Sequence, residues 1–278
     1  MIKIIRTLKE FDQLRSQVST KIGFVPTMGN LHQGHLSLLK KSLEENELSI
    51  FSIFVNPTQF APHEDFNQYP RTLDNDVKLI ESITPTKCEV WIFAPEKNED
   101  IYPEGSTTSI RNSTLGSILE GAIRPHHFEG VLSVVYQLFK IIKPHQAYFG
   151  LKDYQQFILI KKMNHDLRLG IEIHGCPIIR NENGLALSSR NQYLKNDENI
   201  HALHLTQTLK KFKLLIKNQE FDQFKIEREK ILTDKRWNYL ELRDAQTLSE
   251  EFTSKEVVLL GVLQIGSTRL LDNEVISL

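Results

Sequence analysis

The chain has 278 residues, 40% of them apolar and 25% charged, the composition of a folded soluble protein with material for two cores and so for two domains. Its 34 Lys and Arg nearly cancel 35 Asp and Glu, which leaves no global field to hold a nucleic-acid backbone and argues against such a partner. No apolar run reaches the length of a membrane span, Met1-Ile2-Lys3-Ile4-Ile5-Arg6 lacks the pattern of a secretion signal, and Cys88 and Cys176 lie in apolar surroundings without metal-site spacing, so a cytoplasmic chain with buried structural thiols and no membrane partner is expected.

In chain order, the first clear strand is Ile22 to Val25, which runs through Pro26-Thr27-Met28-Gly29-Asn30-Leu31-His32-Gln33-Gly34-His35 into a helix over His35 to Glu45. A strand, a glycine turn and a helix start together make a phosphate site, because the first N–H groups of a helix lack intrahelical partners and carry the positive end of its dipole. Gly29 and Gly34 keep Cβ atoms out of a ligand's way, and His32 and His35, three apart on one helical face, can donate toward the same phosphates. Taken singly, each histidine reads as readily as a surface or capping group.

Leu48 to Val55 is a strand buried on both faces, ended by Asn56-Pro57, since proline removes the next ladder donor. Just beyond it Gln59 offers uncharged donors and an acceptor to a hydroxyl or carboxylate of a small substrate; a polar turn residue is the alternative. A helix over Asp74 to Ile83, capped by Asp74, and a strand over Val90 to Ala94 follow. Arg124-Pro125-His126-His127-Phe128-Glu129-Gly130-Val131 introduces an apolar helix over Gly130 to Ile142 and reads either as a flap or as an interdomain turn.

Ala147 to Phe149 is the next strand, Gly150 its turn, and Lys152 to Leu167 a helix capped by Asp153, followed by a strand over Ile171 to Ile173. Here Lys152 can meet a phosphate, Asp153 can accept from ribose hydroxyls or cap the helix, and Gln156 returns one turn later. Strands alternating with helices predict an α/β fold, a Rossmann-like parallel sheet flanked by helices, with the loops at Met28, Asn56 and Gly150 facing one crevice.

From about residue 179 the texture changes, so domains over 1–178 and 179–278 are expected, the second a smaller α+β unit. Its opening loop, Ile179 to Asn191, places Ser188, Ser189 and Arg190 after the flexible Gly184, where they can close over a triphosphate; a helix-capping Ser-Ser is the other reading. Helices over Asn196 to Asn218 and Phe221 to Thr233 precede strands over Trp237 to Leu242, Val257 to Ile265 and Thr268 to Leu271, with Gly266-Ser267 as a turn. Lys210-Lys211-Phe212-Lys213 reads as a solvated helix face.

With these segments in order, and with Tyr69-Pro70-Arg71-Thr72 and Tyr239-Leu240-Glu241-Leu242-Arg243-Asp244-Ala245 beside them, the chain resembles the pantoate–β-alanine ligase family of the nucleotidyltransferase superfamily over nearly its whole length. The resemblance implies that ATP and pantoate form pantoyl adenylate and pyrophosphate, and that β-alanine then displaces AMP. By motif position it implies ATP contacts from Met28, Gly29, Asn30, Leu31, His32, Gln33, Gly34, His35, Gly150, Leu151, Lys152, Asp153, Ile179, Leu187, Ser188, Ser189 and Arg190. Of these, His35, His32, Lys152, Ser188, Ser189 and Arg190 would be catalytic, with His35 the proton donor. Gln59 and Gln156 would hold pantoate, Gln59 also β-alanine, and Mg2+ would bridge the phosphates; Asp74-Asn75-Asp76 is a carboxylate source to which no ligand role is assigned. A homodimer is implied as well. The chain departs from the family's pattern at Leu151, Asn181 and Asn183, where acidic residues are usual, and at Ala61 and His126, where glycine is common.

Overall fold

A computed structural model describes residues 1–62 and 64–278, the side chains of 196 and 197 excepted. The chain divides into two compact units, one of residues 1–151 with 159–177, the other of residues 152–158 with 178–278.

The first unit alternates strand and helix: β1 (Ile2–Ile5), α1 (Leu8–Arg15), β2 (Ile22–Thr27), α2 (Gln33–Glu45), β3 (Leu48–Ile53), α3 (Leu73–Ile83), β4 (Glu89–Phe93), α4 (Glu120–Ile123), α5 (His127–Ile142), β5 (Gln146–Gly150), α6 (Tyr154–Asp166) and β6 (Glu172–Cys176). The strands form one parallel sheet in the order β1-β4-β3-β2-β5-β6. From β2 the chain winds outward through β3 and β4, then returns to the other side of β2 for β5 and β6. Ligands collect at such a reversal, beyond the carboxyl ends of the strands. Because β3, β2 and β5 are parallel neighbours, the turns after Thr27, Ile53 and Gly150 leave the same sheet edge, as the alternating pattern predicts.

Burial on both faces explains the apolar runs. Ile22, Phe24, Val25, Ile50, Phe51, Ile92, Phe93 and Tyr148 are wholly buried, and side chains of that size contribute roughly 1.5–3 kcal/mol each when removed from water. Strand β1 and helix α1 escape the sequence reading, since β1 is a four-residue edge strand paired with β4 alone. Helix α3 starts one residue early: Thr72 occupies the cap position and Asp74 lies inside the first turn, so Asp74 does not cap it. Helix α5 starts at His127 rather than Gly130. Lys152 and Asp153 stand in a 3-10 turn ahead of α6 rather than within it. Cys176 is buried as expected, whereas Cys88, one residue ahead of β4, is only half-buried.

In the second unit α7 (Asn196–Lys217) and α8 (Phe221–Leu232) accompany the antiparallel sheet β7 (Trp237–Asp244), β8 (Glu256–Ile265) and β9 (Thr268–Ser277). Its core gathers Leu205, Leu209, Phe212, Leu240, Leu259 and Leu263. Lys211 and Lys213, on either side of buried Phe212, pair with Glu227 and Glu274. Strand β9 runs well past Leu271, because Asp272 and Asn273, which break the apolar alternation, are buried with polar partners. No described helix is long and apolar enough to cross a membrane.

Candidate active site

At the end of β2 the Thr27 hydroxyl donates to the Ser52 carbonyl at 2.8 Å and accepts from the Gly29 N–H at 3.2 Å, turning the chain away from the sheet. Gly29 has φ +85° and Asn30 φ +52°, left-handed values that glycine adopts without cost and asparagine tolerates. Two successive left-handed residues need an anchor. Asp76 on α3, wholly buried, supplies it by accepting the N–H groups of Asn30 at 3.0 Å and Leu31 at 2.8 Å and the Thr72 hydroxyl at 3.1 Å.

The loop delivers His32 to the N-cap of α2. Its Nδ1 accepts the Gly34 N–H at 3.1 Å, and Nδ1 of His35 accepts the His32 N–H at 3.3 Å, the two rings lying 4.0 Å apart. A backbone N–H can only donate, so both Nδ1 atoms are acceptors and each neutral ring carries its proton on Nε2. Capping and ligand binding, alternatives in the sequence, are compatible here: the cap holds the tautomer that leaves Nε2–H as the donor.

Strand β3 ends in a 3-10 turn, Pro57–Gln59, capped by Asn56, which is 1% exposed. Asn56 Nδ2 donates to Gly130 O at 3.1 Å and to Gln59 Oε1 at 3.2 Å, while its Oδ1 accepts the hydroxyls of Thr58 and Tyr102, each at 3.0 Å. Gln59 Nε2 points at Met28 Sδ, 3.1 Å away. A thioether is a weak acceptor, so a carboxylate or hydroxyl oxygen is the better partner for that amide.

Arg124 to Val131 lies inside the first unit, so it is not an interdomain turn. Arg124 meets Glu64 through two bonds of 2.7 Å. Burial raises the Glu64 carboxyl, but the Arg124 guanidinium outweighs it and holds the group below its ordinary value. The Arg124 Nη1 also faces Nε2 of His127 at 3.1 Å, and Nδ1 of His127 faces the Gln59 carbonyl oxygen at 2.9 Å. Burial, with the Arg124 charge second, pushes His127 down to about 4. Thr58 to Pro62, Glu64 and Arg124 to His127 line a cleft of about 160 Å³. His126 caps α5 at φ +68°, a left-handed value.

In the second unit, Lys152 has a side chain 19% exposed, 3.4 Å from Asp153. Its carbonyl oxygen accepts Nδ2 of Asn273 at 2.9 Å. Asp272 beside it takes two bonds from Arg180, at 2.6 and 3.0 Å, and one from Thr206 at 3.2 Å. Gln156 is half-buried on α6, four residues beyond Lys152. The loop after Ile178 is a hairpin: Arg180 bridges Ala186, and the Leu187 N–H donates to Ile179 O at 2.9 Å. Asn181 Oδ1 accepts the N–H groups of Asn183 at 3.1 Å and Leu185 at 2.9 Å, which sets the turn of the hairpin. Ser188 caps the 3-10 turn Ser189–Tyr193 by accepting the Arg190 N–H at 3.2 Å, so the capping reading of the Ser-Ser pair applies to it. Leu151 opens the turn before α6, half-buried.

Sequence reasoning passed over Asp76 as an anchor, Glu64, and the pairing of Arg124 with His127. It also missed Asn273. The acidic stretch Asp74-Asn75-Asp76 was a local signal for Asp76, and Arg124 to Val131 held the Arg124 and His127 pair, but neither stretch names its partners across the chain.

The sequence profile of the Pantoate-beta-alanine ligase family matches residues 2–275. Curated relatives include the pantothenate synthetase of Acetivibrio thermocellus, 44% identical, with 99% of each chain covered, and that of Thermotoga petrophila, 43% identical, with 99% of this chain and 100% of the relative covered. Among solved structures, a pantothenate synthetase from Thermus thermophilus superposes with a TM-score of 0.88 at 35% identity, covering 99% of each chain. The pantoate–β-alanine ligase from Francisella tularensis, complexed with β,γ-ATP and β-alanine, superposes with a TM-score of 0.79 at 35% identity, covering 99% of this chain and 97% of that one. A profile match from end to end, with relatives above 40% identity and the same α/β architecture, makes this chain a member of the pantoate–β-alanine ligase family.

Proposed function

We propose that the chain condenses pantoate with β-alanine at the expense of ATP through a pantoyl adenylate. A pantoate carboxylate oxygen attacks the α-phosphorus, the bond to the bridging oxygen breaks, and pyrophosphate leaves. The β-alanine nitrogen then attacks the acyl carbon, the carbon–oxygen bond to AMP breaks, and the amine proton passes to solvent. Activation is needed because a carboxylate is a poor acyl donor, and the first step demands charge stabilisation rather than a covalent catalyst.

The carrying observation is the capping box of α2, in which both Nδ1 atoms accept backbone N–H groups. It supports His32 and His35 as neutral Nε2–H hydrogen-bond donors to the phosphates, with His35 donating a hydrogen bond to the departing pyrophosphate and keeping its proton. Met28 to His35, Gly150 to Asp153, Ile179 and Leu187 to Arg190 are the ATP contacts in this reading. Lys152, Ser188, Ser189 and Arg190 add charge and hydroxyl donors. Gln59 and Gln156 hold pantoate, and Gln59 also meets β-alanine.

Among the described residues no cluster of three or more carboxylate, His or Cys groups could hold a metal ion. The oxygens of Asp76 are engaged by two amides and a hydroxyl. Magnesium enters this reading as part of the MgATP substrate, where it would offset phosphate charge. A cytoplasmic homodimer is part of the same proposal, carried by the family resemblance.

Pantoate labelled with 18O in its carboxylate tests the adenylate. With ATP and β-alanine, the purified chain should move one label into AMP. Unlabelled AMP, or ADP in its place, would reject the reading.

A further inference from the structure

Gln59 reaches the substrate in the reading above, and the inference here rests on that reading. Within its own 3-10 turn, Pro57–Gln59, the side-chain oxygen of Gln59 is met by Asn56 Nδ2 at 3.2 Å, while its backbone carbonyl is met from outside the turn. The support comes from α5. Gly130 lies so close that an added Cβ would stand 2.4 Å from the Thr58 carbonyl oxygen and 2.6 Å from the Gln59 Cα. One turn earlier on the same helical face, His127 meets the Gln59 carbonyl oxygen at 2.9 Å.

The protons on this contact are determined. A carbonyl oxygen only accepts and a guanidinium only donates, so His127 carries its proton on Nδ1 and receives the Arg124 Nη1–H at Nε2. Glu64 in turn holds Arg124 through two parallel bonds, with both side chains less than a fifth exposed. Arg124 is the common donor, giving N–H groups to the Glu64 carboxylate on one side and to His127 Nε2 on the other, and His127 donates onward to the Gln59 carbonyl oxygen.

We propose that Glu64, Arg124 and His127 form a positioning relay that orients Gln59 for the acid substrate, His127 being the residue that sets the peptide from which the Gln59 amide projects. None of the three is a catalytic residue. They act through Gln59, so their removal should appear in the pantoate requirement and leave ATP binding unaltered.

Asparagine can reproduce the Nδ1 donor of histidine, whereas glutamine reproduces only the outer nitrogen's position. The relay predicts that His127→Gln raises the pantoate KM about tenfold or more, with the ATP KM held within about twofold, and that His127→Asn recovers most of the loss. Glu64→Gln should give a smaller shift in the same constant. The variants are assayed beside the unaltered chain, with near-ultraviolet circular dichroism confirming native packing. An unshifted pantoate KM in folded His127→Gln, an equal rise in both KM values, or identical behaviour of the Asn and Gln variants would overturn the relay while the unaltered chain works normally. An unaltered chain without pantoate-dependent turnover would overturn the ligase reading and the relay together.

Discussion

The Asp76 carboxylate accepts the Leu31 N–H at 2.8 Å across 45 residues of chain, and the same group takes the Asn30 N–H. The loop that opens α2 is thereby tied to α3, and the left-handed Gly29 and Asn30 are held at the position where His32 becomes the cap.

Asp76→Asn should be costly for this reason. The new amide turns a donor toward backbone donors inside a buried site, a loss of roughly 2–3 kcal/mol. Urea unfolding should show it, together with slower AMP formation as the capping histidines lose their support. A variant as stable and as active as the parent would contradict the anchoring role.

His35→Ala removes a phosphate donor and half of the capping box. Turnover should fall by about two to three orders of magnitude if its Nε2–H meets developing charge, while stability drops by only about 1 kcal/mol, the usual value of a cap. Single-turnover measurement of pyrophosphate release separates the two effects; near-normal release would take His35 out of the chemistry.

Asn273→Ala leaves the Lys152 carbonyl oxygen without the amide that β9 gives it. The turn carrying Lys152 should loosen, raising the ATP KM severalfold with the pantoate KM steady, at a cost of about 1–3 kcal/mol for the unpaired carbonyl. Isothermal titration with a non-hydrolysable ATP analogue is the direct check, and unchanged affinity would argue that Lys152 is held by other means.

Two groups divide the acid stability of the chain into separate windows. His127, lowered from 6.5 to about 4 in the folded state, costs nothing above pH 6.5, where folded and unfolded forms are both neutral. As pH falls from 6.5 to 4 the unfolded chain takes up a proton that the folded chain refuses, and up to about 3 kcal/mol is lost. Asp244 behaves otherwise. Burial raises its carboxyl, but the N–H groups of Ser254, Thr247, Gln246 and Thr253 outweigh that and hold it far below its ordinary 3.8, so its contribution is present above pH 3.8 and lost only below it. Unfolding free energies of the parent and His127→Asn should therefore converge between pH 6.5 and 4, the variant keeping more of its stability, while Asp244→Asn should lower stability above pH 3.8 and flatten the fall below it. Parallel curves for parent and His127→Asn would show that His127 is not held neutral.

The alternation of apolar runs and amphipathic stretches was enough to read β2 to β6, the parallel sheet and the crevice at Met28, Asn56 and Gly150, because two-sided burial is written directly into residue order. The histidine turn was legible for the same reason: strand, glycines and both imidazoles lie within one short segment. Edge strand β1, whose residues are only half covered, left a weaker mark. Strand β9 looked finished at Leu271 because Asp272 and Asn273 read as a turn until Arg180 and Lys152 are seen beside them.

The sequence by itself determined the order of the strands from β2 to β6 and the resemblance to a family, since each of these rests on neighbours in the chain. The tertiary structure alone decided which polar groups hold the candidate site: Asp76 for Leu31, His127 for Gln59, Glu64 for Arg124 and Asn273 for the Lys152 carbonyl. Those partners lie 45 to 121 residues apart. A hydrogen bond depends on a few tenths of an ångström, which only the folded path of the backbone supplies.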